Sequence, residues 1–186
     1  IFTASGTESD ALAILGTVHL YKNKKVPHIV TTSIEHPAVL EVCKILQKNK
    51  EAEVTYITPD GWGIINPKDI RDALKENTIL VSVMYANNEI GTIQPIMEIA
   101  KVIRHFRKTN NTNLPLLHTD AAQAMNYLEV ENIEKLGVDL LTFNSSKIYG
   151  PKGVGVLYKK RAVILSPLYL GGGQEFGLRS GTENTA

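Results

Sequence analysis

One lysine in this chain sits where a reactive amine is usually displayed. From Leu140 to Gly155 the residues read Leu-Leu-Thr-Phe-Asn144-Ser-Ser146-Lys147-Ile-Tyr-Gly-Pro-Lys-Gly-Val-Gly. An apolar, strand-like run ends in small polar residues, and a Gly/Pro-rich turn follows the lysine at once, which presents Lys147 at a rigid strand end. An amine held there can form a Schiff base with a carbonyl group. The same string also suits a lysine at the solvated edge of a loop, so its meaning depends on what else the chain brings to strand ends.

Four other stretches carry chemistry. His118-Thr-Asp120-Ala-Ala-Gln123 leaves a strand with an acid and an amide three residues apart. A buried carboxylate there needs a cationic or hydrogen-bonding partner, and a protonated pyridine nitrogen supplies one. Pyridoxal phosphate carries that nitrogen together with an aldehyde and acts as an electron sink, so it is the cofactor that joins Asp120 to Lys147. A metal held by His118 and Asp120 is the competing reading, but two ligands without a third fall short of the three protein ligands of catalytic zinc. Ser5-Gly6-Thr7-Glu8-Ser9 precedes an amphipathic helix; it serves either as a helix cap, with Thr7 and Asp10 as an approximate capping box, or as a phosphate cradle at the positive end of the helix. Glu35-His36-Pro37 opens a helix, and the His36 ring could cap it or stack on a cofactor and move protons near neutral pH. Asn87-Asn88-Glu89-Ile90-Gly91 reads as a turn or as an amide aimed at substrate or cofactor oxygen. Cys43 shares one apolar helical stripe with Val39, Leu40 and Leu46, which makes it a core residue rather than a nucleophile.

The elements that position these residues alternate along the chain. His28 to Ser33, Val54 to Ile57, Ile79 to Tyr85, Leu114 to Thr119, Asp139 to Asn144 and Gly155 to Tyr158 read as strands. Ser9 to Tyr21, Pro37 to Asn49, Pro67 to Lys75 and Pro95 to Lys108 carry helical periodicity, three of them opening on proline. Such alternation predicts a three-layer α/β/α fold with a mainly parallel sheet, whose ligands bind outside the carboxyl ends of the strands. His36, Asn88, Asp120 and Lys147 all follow strands, as that rule demands. The glycine-rich segment from Gly171 to Asn184 is the longest irregular one, which suits either a functional loop or a disordered end.

Composition bounds the partners. The 186 residues are 43% hydrophobic, enough for one sizeable core, and 20 basic against 19 acidic residues leave a net charge of +1. The basic residues are scattered, so nothing suggests nucleic acid, and the short run Lys22-Asn-Lys-Lys25 reads as a solvated helix end. No run approaches the roughly eighteen apolar residues of a membrane span and no leader opens the chain, so a cytoplasmic protein is the expectation. The single Cys43 fits a reducing compartment. Because Ile1 already reads as part of a strand, an N-terminal part is expected to lie outside this sequence.

Together and in order, these motifs resemble the NifS-like cysteine desulfurases, within the class V aminotransferase group of fold-type I pyridoxal-phosphate enzymes. The resemblance runs from Phe2-Thr-Ala-Ser-Gly-Thr-Glu-Ser-Asp through Glu35-His-Pro-Ala-Val-Leu, Asn87-Asn-Glu-Ile-Gly, His118-Thr-Asp-Ala-Ala-Gln and Ser146-Lys-Ile-Tyr-Gly-Pro-Lys-Gly to Gly171-Gly-Gly-Gln-Glu and Arg179-Ser-Gly-Thr-Glu-Asn. It implies that residues 1–186 are the cofactor-binding large domain, with Lys147 forming the Schiff base, His36 stacking on the ring and assisting proton transfer, Asp120 pairing with the pyridine nitrogen and Gln123 with the ring hydroxyl. Gly6 and Thr7 would hold the phosphate, joined by Asn144 and Ser146 just before the lysine, while Asn88 would face cofactor and substrate. Thr182 would reach the phosphate of a neighbouring subunit, which implies a homodimer. The implied reaction converts L-cysteine to L-alanine with sulfur passed on as a persulfide, to iron–sulfur scaffold proteins or other acceptors. A selenocysteine lyase is the nearest alternative, and a non-catalytic cofactor-binding or scaffold domain is the alternative from another class. Two departures stand out. Asn144-Ser-Ser replaces the Ser-Gly-His usual before the lysine, and the family's sulfur-accepting cysteine and substrate-binding arginine are expected beyond Ala186.

Overall fold

The computed structural model describes residues 1–21, 25–128, 130 and 132–183. The run from Lys22 to Lys25 lies mostly outside the described residues, as does Asn184 of the last motif.

Seven strands form one sheet in the order β1-β7-β6-β5-β4-β2-β3. β2 (His28–Thr32), β4 (Thr78–Ser82) and β5 (Leu116–Asp120) are buried along their whole length, as expected of strands covered on both faces. They run parallel with β3 (Glu53–Ile57) and β6 (Leu140–Asn144). β7 (Gly155–Lys159) and β1 (Phe2–Thr3) complete one edge antiparallel.

The alternation of strand side chains divides the core in two. Val30, Val81, Leu117 and Leu141 join one cluster with Ile70, Ile99 and Ile103 of α3 (Pro67–Ala73) and α4 (Ile96–Thr109). Their strand neighbours Ile29, Leu80, Leu116 and Leu140 join the other, with Leu12, Val18, Val39 and Cys43 of α1 (Gly6–Tyr21) and α2 (Pro37–Lys48). A one-residue slip in any central strand would exchange these sets, so the register is held from both faces.

The elements differ from the sequence pattern in several places; β4, for one, ends at Ser82 and not at Tyr85. β5 begins at Leu116 because Pro115 has no N–H to give the ladder. A short helix, α5 (Ile133–Leu136), escapes periodicity because it is a single turn. α1 begins at Gly6 rather than Ser9, and its cap is made by other residues than expected. Ser5 Oγ accepts from the Glu8 N–H at 3.1 Å and Glu8 Oε2 accepts from the Ala4 N–H at 2.7 Å. Thr7 and Asp10 therefore do not form the capping box. Ser5 and Glu8 already satisfy the helix end, and Asp10 lies one turn on, facing inward.

The start of β7 locks the approach to α1. Gly155 pairs with Thr3 on one side and Asn144 on the other, and a Cβ there would meet the backbone of Ser5 at 2.3 Å. Only glycine lets the turn before α1 lie this close to the end of β6. The late glycine-rich segment is tied to the same place, since Arg179 Nε donates to Glu8 Oε1 at 2.8 Å. Among the described residues, no helix is long and apolar enough to cross a membrane.

Candidate functional site

The parallel strands end around a pocket of about 90 Å³. Eight of the expected residues line it, each from the end of a strand or from the turn or helix that follows one. Gly6 and Thr7 come from the start of α1, His36 from the start of α2, Asn88 from the turn after β4, Asp120 and Gln123 from the end of β5 and just beyond, and Asn144 and Lys147 from the end of β6.

Lys147 closes a single tight turn (Ser145–Lys147) whose geometry comes from its neighbours. Asn144 Oδ1 caps it, accepting from the Lys147 N–H and from Ser146 Oγ, both at 3.2 Å. Ser145 Oγ donates across the loop to the carbonyl oxygens of Pro151 and Val154. A Cβ at Gly150 would strike Ser145 Cβ at 2.8 Å, and Tyr149 adopts a left-handed φ of +63°. The loop is thus held in a sparsely populated backbone state by side-chain bonds, which leaves the lysine amine exposed at the pocket rim.

His36 does two things at once. Its Nδ1 accepts from the Ala38 N–H at 3.1 Å and so caps α2, which places the proton of the neutral ring on Nε2. Asn87 and Asn88 divide their labour. Asn87 is buried and builds the turn, donating to the Ile34 carbonyl at 2.9 Å and accepting from Glu89 N–H at 2.8 Å and Ile90 N–H at 3.0 Å. Asn88 is left exposed at the pocket.

Gly6 carries the other backbone demand of the site. A Cβ there would meet Asn144 Nδ2 at 3.0 Å, so its absence brings the N-terminus of α1 up to the end of β6. The Gly6 and Thr7 N–H groups have no carbonyl within the helix to receive them, and the helix dipole adds positive potential. This rim suits an anion.

Opposite the rim, the floor is acidic. Asp120 is 7% exposed and its Oδ1 accepts from the Ala122 N–H at 2.8 Å. Burial raises its carboxyl above the usual range, while that N–H and His36 pull it back. Asp10 also lines the pocket, with burial and then the charge of Asp120 pushing its carboxyl well above the usual range. Glu35 lies beneath, pushed up to about 8 by burial. His118 is fully buried between Ser82 Oγ at 2.8 Å and Thr142 Oγ1 at 3.1 Å, and desolvation lowers it to about 3. Its place is in this packed network, not in a metal's coordination shell.

Two expected residues stand apart. Ser146 is exposed and bonds Asn144 instead of lining the pocket. Thr182 lines a separate hollow with Phe2, Ala4 and Arg179. The residue that sequence reasoning missed is Asp10: its inward position on α1 was legible from the helical period, but the cap reading claimed it first. Cys43 is fully buried and its thiol is pushed up to about 12, so it is inert as a nucleophile.

Comparison with known proteins places this arrangement. A family model described as Aminotransferase class-V matches residues 1–186. Cysteine desulfurase IscS of Dictyoglomus turgidum is 45% identical over 186 residues, covering 100% of this chain and 45% of that protein. Cysteine desulfurase IscS 1 of Archaeoglobus fulgidus is 46% identical over 184 residues, covering 99% and 45%. Among solved structures, one called NIFS-LIKE PROTEIN matches with a TM-score of 0.89 at 42% identity, covering 99% of this chain and 48% of that one. Another, SspA in complex with cysteine, matches with a TM-score of 0.88 at 37% identity, covering 98% and 50%. The chain spans about half the length of the curated relatives it matches.

Proposed function

This chain belongs to the class-V aminotransferase family, and on that premise we propose that it is the pyridoxal-phosphate-binding large domain of an enzyme that takes sulfur from L-cysteine. The observation that carries the reading is Asp120, an acid at the floor of a pocket whose rim offers a free amine and a helix N-terminus. A buried carboxyl in that position calls for a cation above it, and a protonated pyridine nitrogen is one. The other residues fit the rest of the cofactor. Gly6 and Thr7 amides with the Thr7 hydroxyl suit its phosphate, Gln123 its ring hydroxyl, and the His36 imidazole its flat face. Asn144 and Ser146 support the phosphate side through the turn they build.

When bound, the cofactor supplies an electron sink for negative charge at the substrate α-carbon. The chain's residues then divide the work. Lys147 Nζ removes and returns the proton at that carbon. His36 holds its proton on Nε2, facing the pocket, while its Nδ1 is fixed by α2, so the ring exchanges a proton without losing its orientation. Asp120 holds the ring nitrogen in its charged form. Asn88 orients cofactor and substrate oxygen.

In the whole protein, the carbon–sulfur bond of cysteine breaks and a sulfur–sulfur bond forms on an acceptor thiol, leaving alanine. Cys43 is buried in the core and does not serve, so the acceptor thiol belongs to residues other than these. We read Thr182 as facing the phosphate site of a second copy in a homodimer, and an iron–sulfur scaffold or similar protein as the destination of the sulfur.

The test is spectroscopic. Protein incubated with pyridoxal phosphate and desalted develops a visible band that borohydride bleaches, and Lys147→Ala abolishes it. Protein that stays colourless overturns the cofactor reading; colour without alanine from cysteine leaves a cofactor-binding domain that does not turn over.

A further inference from the structure

The floor of the pocket holds more acid than one ring nitrogen can use. Asp10, Glu35 and Asp120 come from α1, the turn before α2 and the end of β5, and are 2%, 4% and 7% exposed. Among the described residues, no lysine or arginine lies within ion-pair distance of these three. The basic group nearest Asp10 is His118, with Nε2 at 3.6 Å from Asp10 Oδ1, and that ring is enclosed between Ser82 and Thr142. Asp10 Oδ1 is buried and accepts no hydrogen bond in the described structure. Asp120, by contrast, is given the Ala122 N–H and faces His36.

Two carboxyls in one dry site do not both ionise at modest cost. The geometry decides which keeps the proton. An acid that has one buried oxygen without a donor, only the Thr142 hydroxyl to support its charge, and a closed-in neutral histidine as neighbour is the poorer anion. We propose that Asp10 is a positioning residue acting through Asp120: it is the proton-holding member of a buried carboxyl pair, which leaves the pair's single negative charge on Asp120, facing the ring nitrogen. The purpose of the pair rests on the cofactor reading above; its protonation does not.

The groups that face Asp10 are few. β5 contributes His118 and Asp120, the turn before α2 contributes Glu35 and His36, β6 contributes the Thr142 hydroxyl, and Lys147 stands at the rim. Burial of Glu35, which also pushes it toward the neutral acid, removes the second competing anion.

The experiment uses the whole protein that carries this chain, labelled with 13C at the aspartate side-chain carboxyl and stripped of cofactor. Infrared spectra at neutral pH are expected to contain the isotope-shifted carbonyl band of a protonated aspartic acid. The band disappears in Asp10→Asn and survives in Asp120→Asn and in Glu35→Gln. A missing band, or one lost with Asp120→Asn and kept in Asp10→Asn, overturns the assignment. The second readout is the titration of the visible band with added pyridoxal phosphate. Asp10→Asn, an isostere of the neutral acid, keeps the affinity within about threefold of the parent and leaves the pH midpoint of the band in place. A tenfold loss with an unchanged circular dichroism spectrum makes Asp10 an anion in the bound state and overturns the proposal. If neither parent nor variant takes up pyridoxal phosphate, the functional reading fails, while the infrared band still decides which aspartate holds the proton.

Discussion

The Glu35 carboxyl is an acid that the fold prefers neutral. Burial pushes it from 4.5 to about 8, although Thr32 Oγ1 at 2.6 Å and the Met84 N–H at 2.9 Å both donate to its Oε1. With the folded value above the unfolded one, the native state binds more protons between the two. Its contribution is therefore fully present below about 4.5 and is lost as pH rises through about 8. Glu35→Gln keeps the accepting oxygen and should flatten this fall, which urea unfolding at about pH 5 and about pH 9 would measure. His118 acts in the opposite direction. Desolvation lowers it from 6.5 to about 3, so its contribution is present above 6.5 and lost as pH falls through about 3. Asp120 belongs to the same scale but to function. On the proposed reading Asp120→Ala removes the partner of the ring nitrogen, and pyridoxal phosphate affinity should fall at least tenfold in a fluorescence or absorbance titration, about 1.4 kcal/mol or more. An unchanged affinity would remove Asp120 from the site.

At the scale of elements, the site depends on two helix starts and one close crossing. The start of α1 is held by the Ser5–Glu8 exchange, and Glu8 also receives Arg179. Ser5→Ala should cost about 1 kcal/mol, the usual worth of a cap. Gly155→Ala is the sharper test, because its Cβ would meet the Ser5 backbone at 2.3 Å and neither backbone can yield freely. A loss of about 3 kcal/mol in denaturant unfolding is expected, together with weaker cofactor binding, because the turn that carries Gly6 must move. If stability falls but binding holds, the turn and the pocket are not mechanically joined.

At the scale of the whole molecule, one buried acid joins four elements. Asp139 precedes β6 and accepts from Arg107 of α4, from the Leu117 N–H of β5 at 2.8 Å and from Lys160 after β7 at 3.0 Å. Burial pushes its carboxyl up, yet Arg107, the Leu117 N–H and Lys160 together hold it below the ordinary value. Its stabilisation is present above the unfolded carboxylate range and is lost as pH falls through the lower folded value. Asp139→Ala strands Arg107 and the Leu117 N–H, and should cost about 3–5 kcal/mol in urea unfolding. A cost below about 1 kcal/mol would show the cluster to be a surface pair in effect.

The alternation of strand and helix, the layered parallel sheet and the residues at strand ends were legible in the sequence itself. Period-two and helical periodicity record burial directly, and ligand residues follow strands in this class of fold. Tertiary structure alone decided the rest. That His36 both caps α2 and faces the pocket, that Asn87 builds the turn while Asn88 is free of it, and that Ser146 and Thr182 stand outside the pocket are outcomes of packing in three dimensions. Asp10 makes the point most plainly. Four residues from Gly6 it looked like part of a helix cap, and only the meeting of α1 with β5 and β6 brought it against Asp120 and His118. Local spacing carries propensity and period; it does not carry the field of charges that distant segments impose once folded.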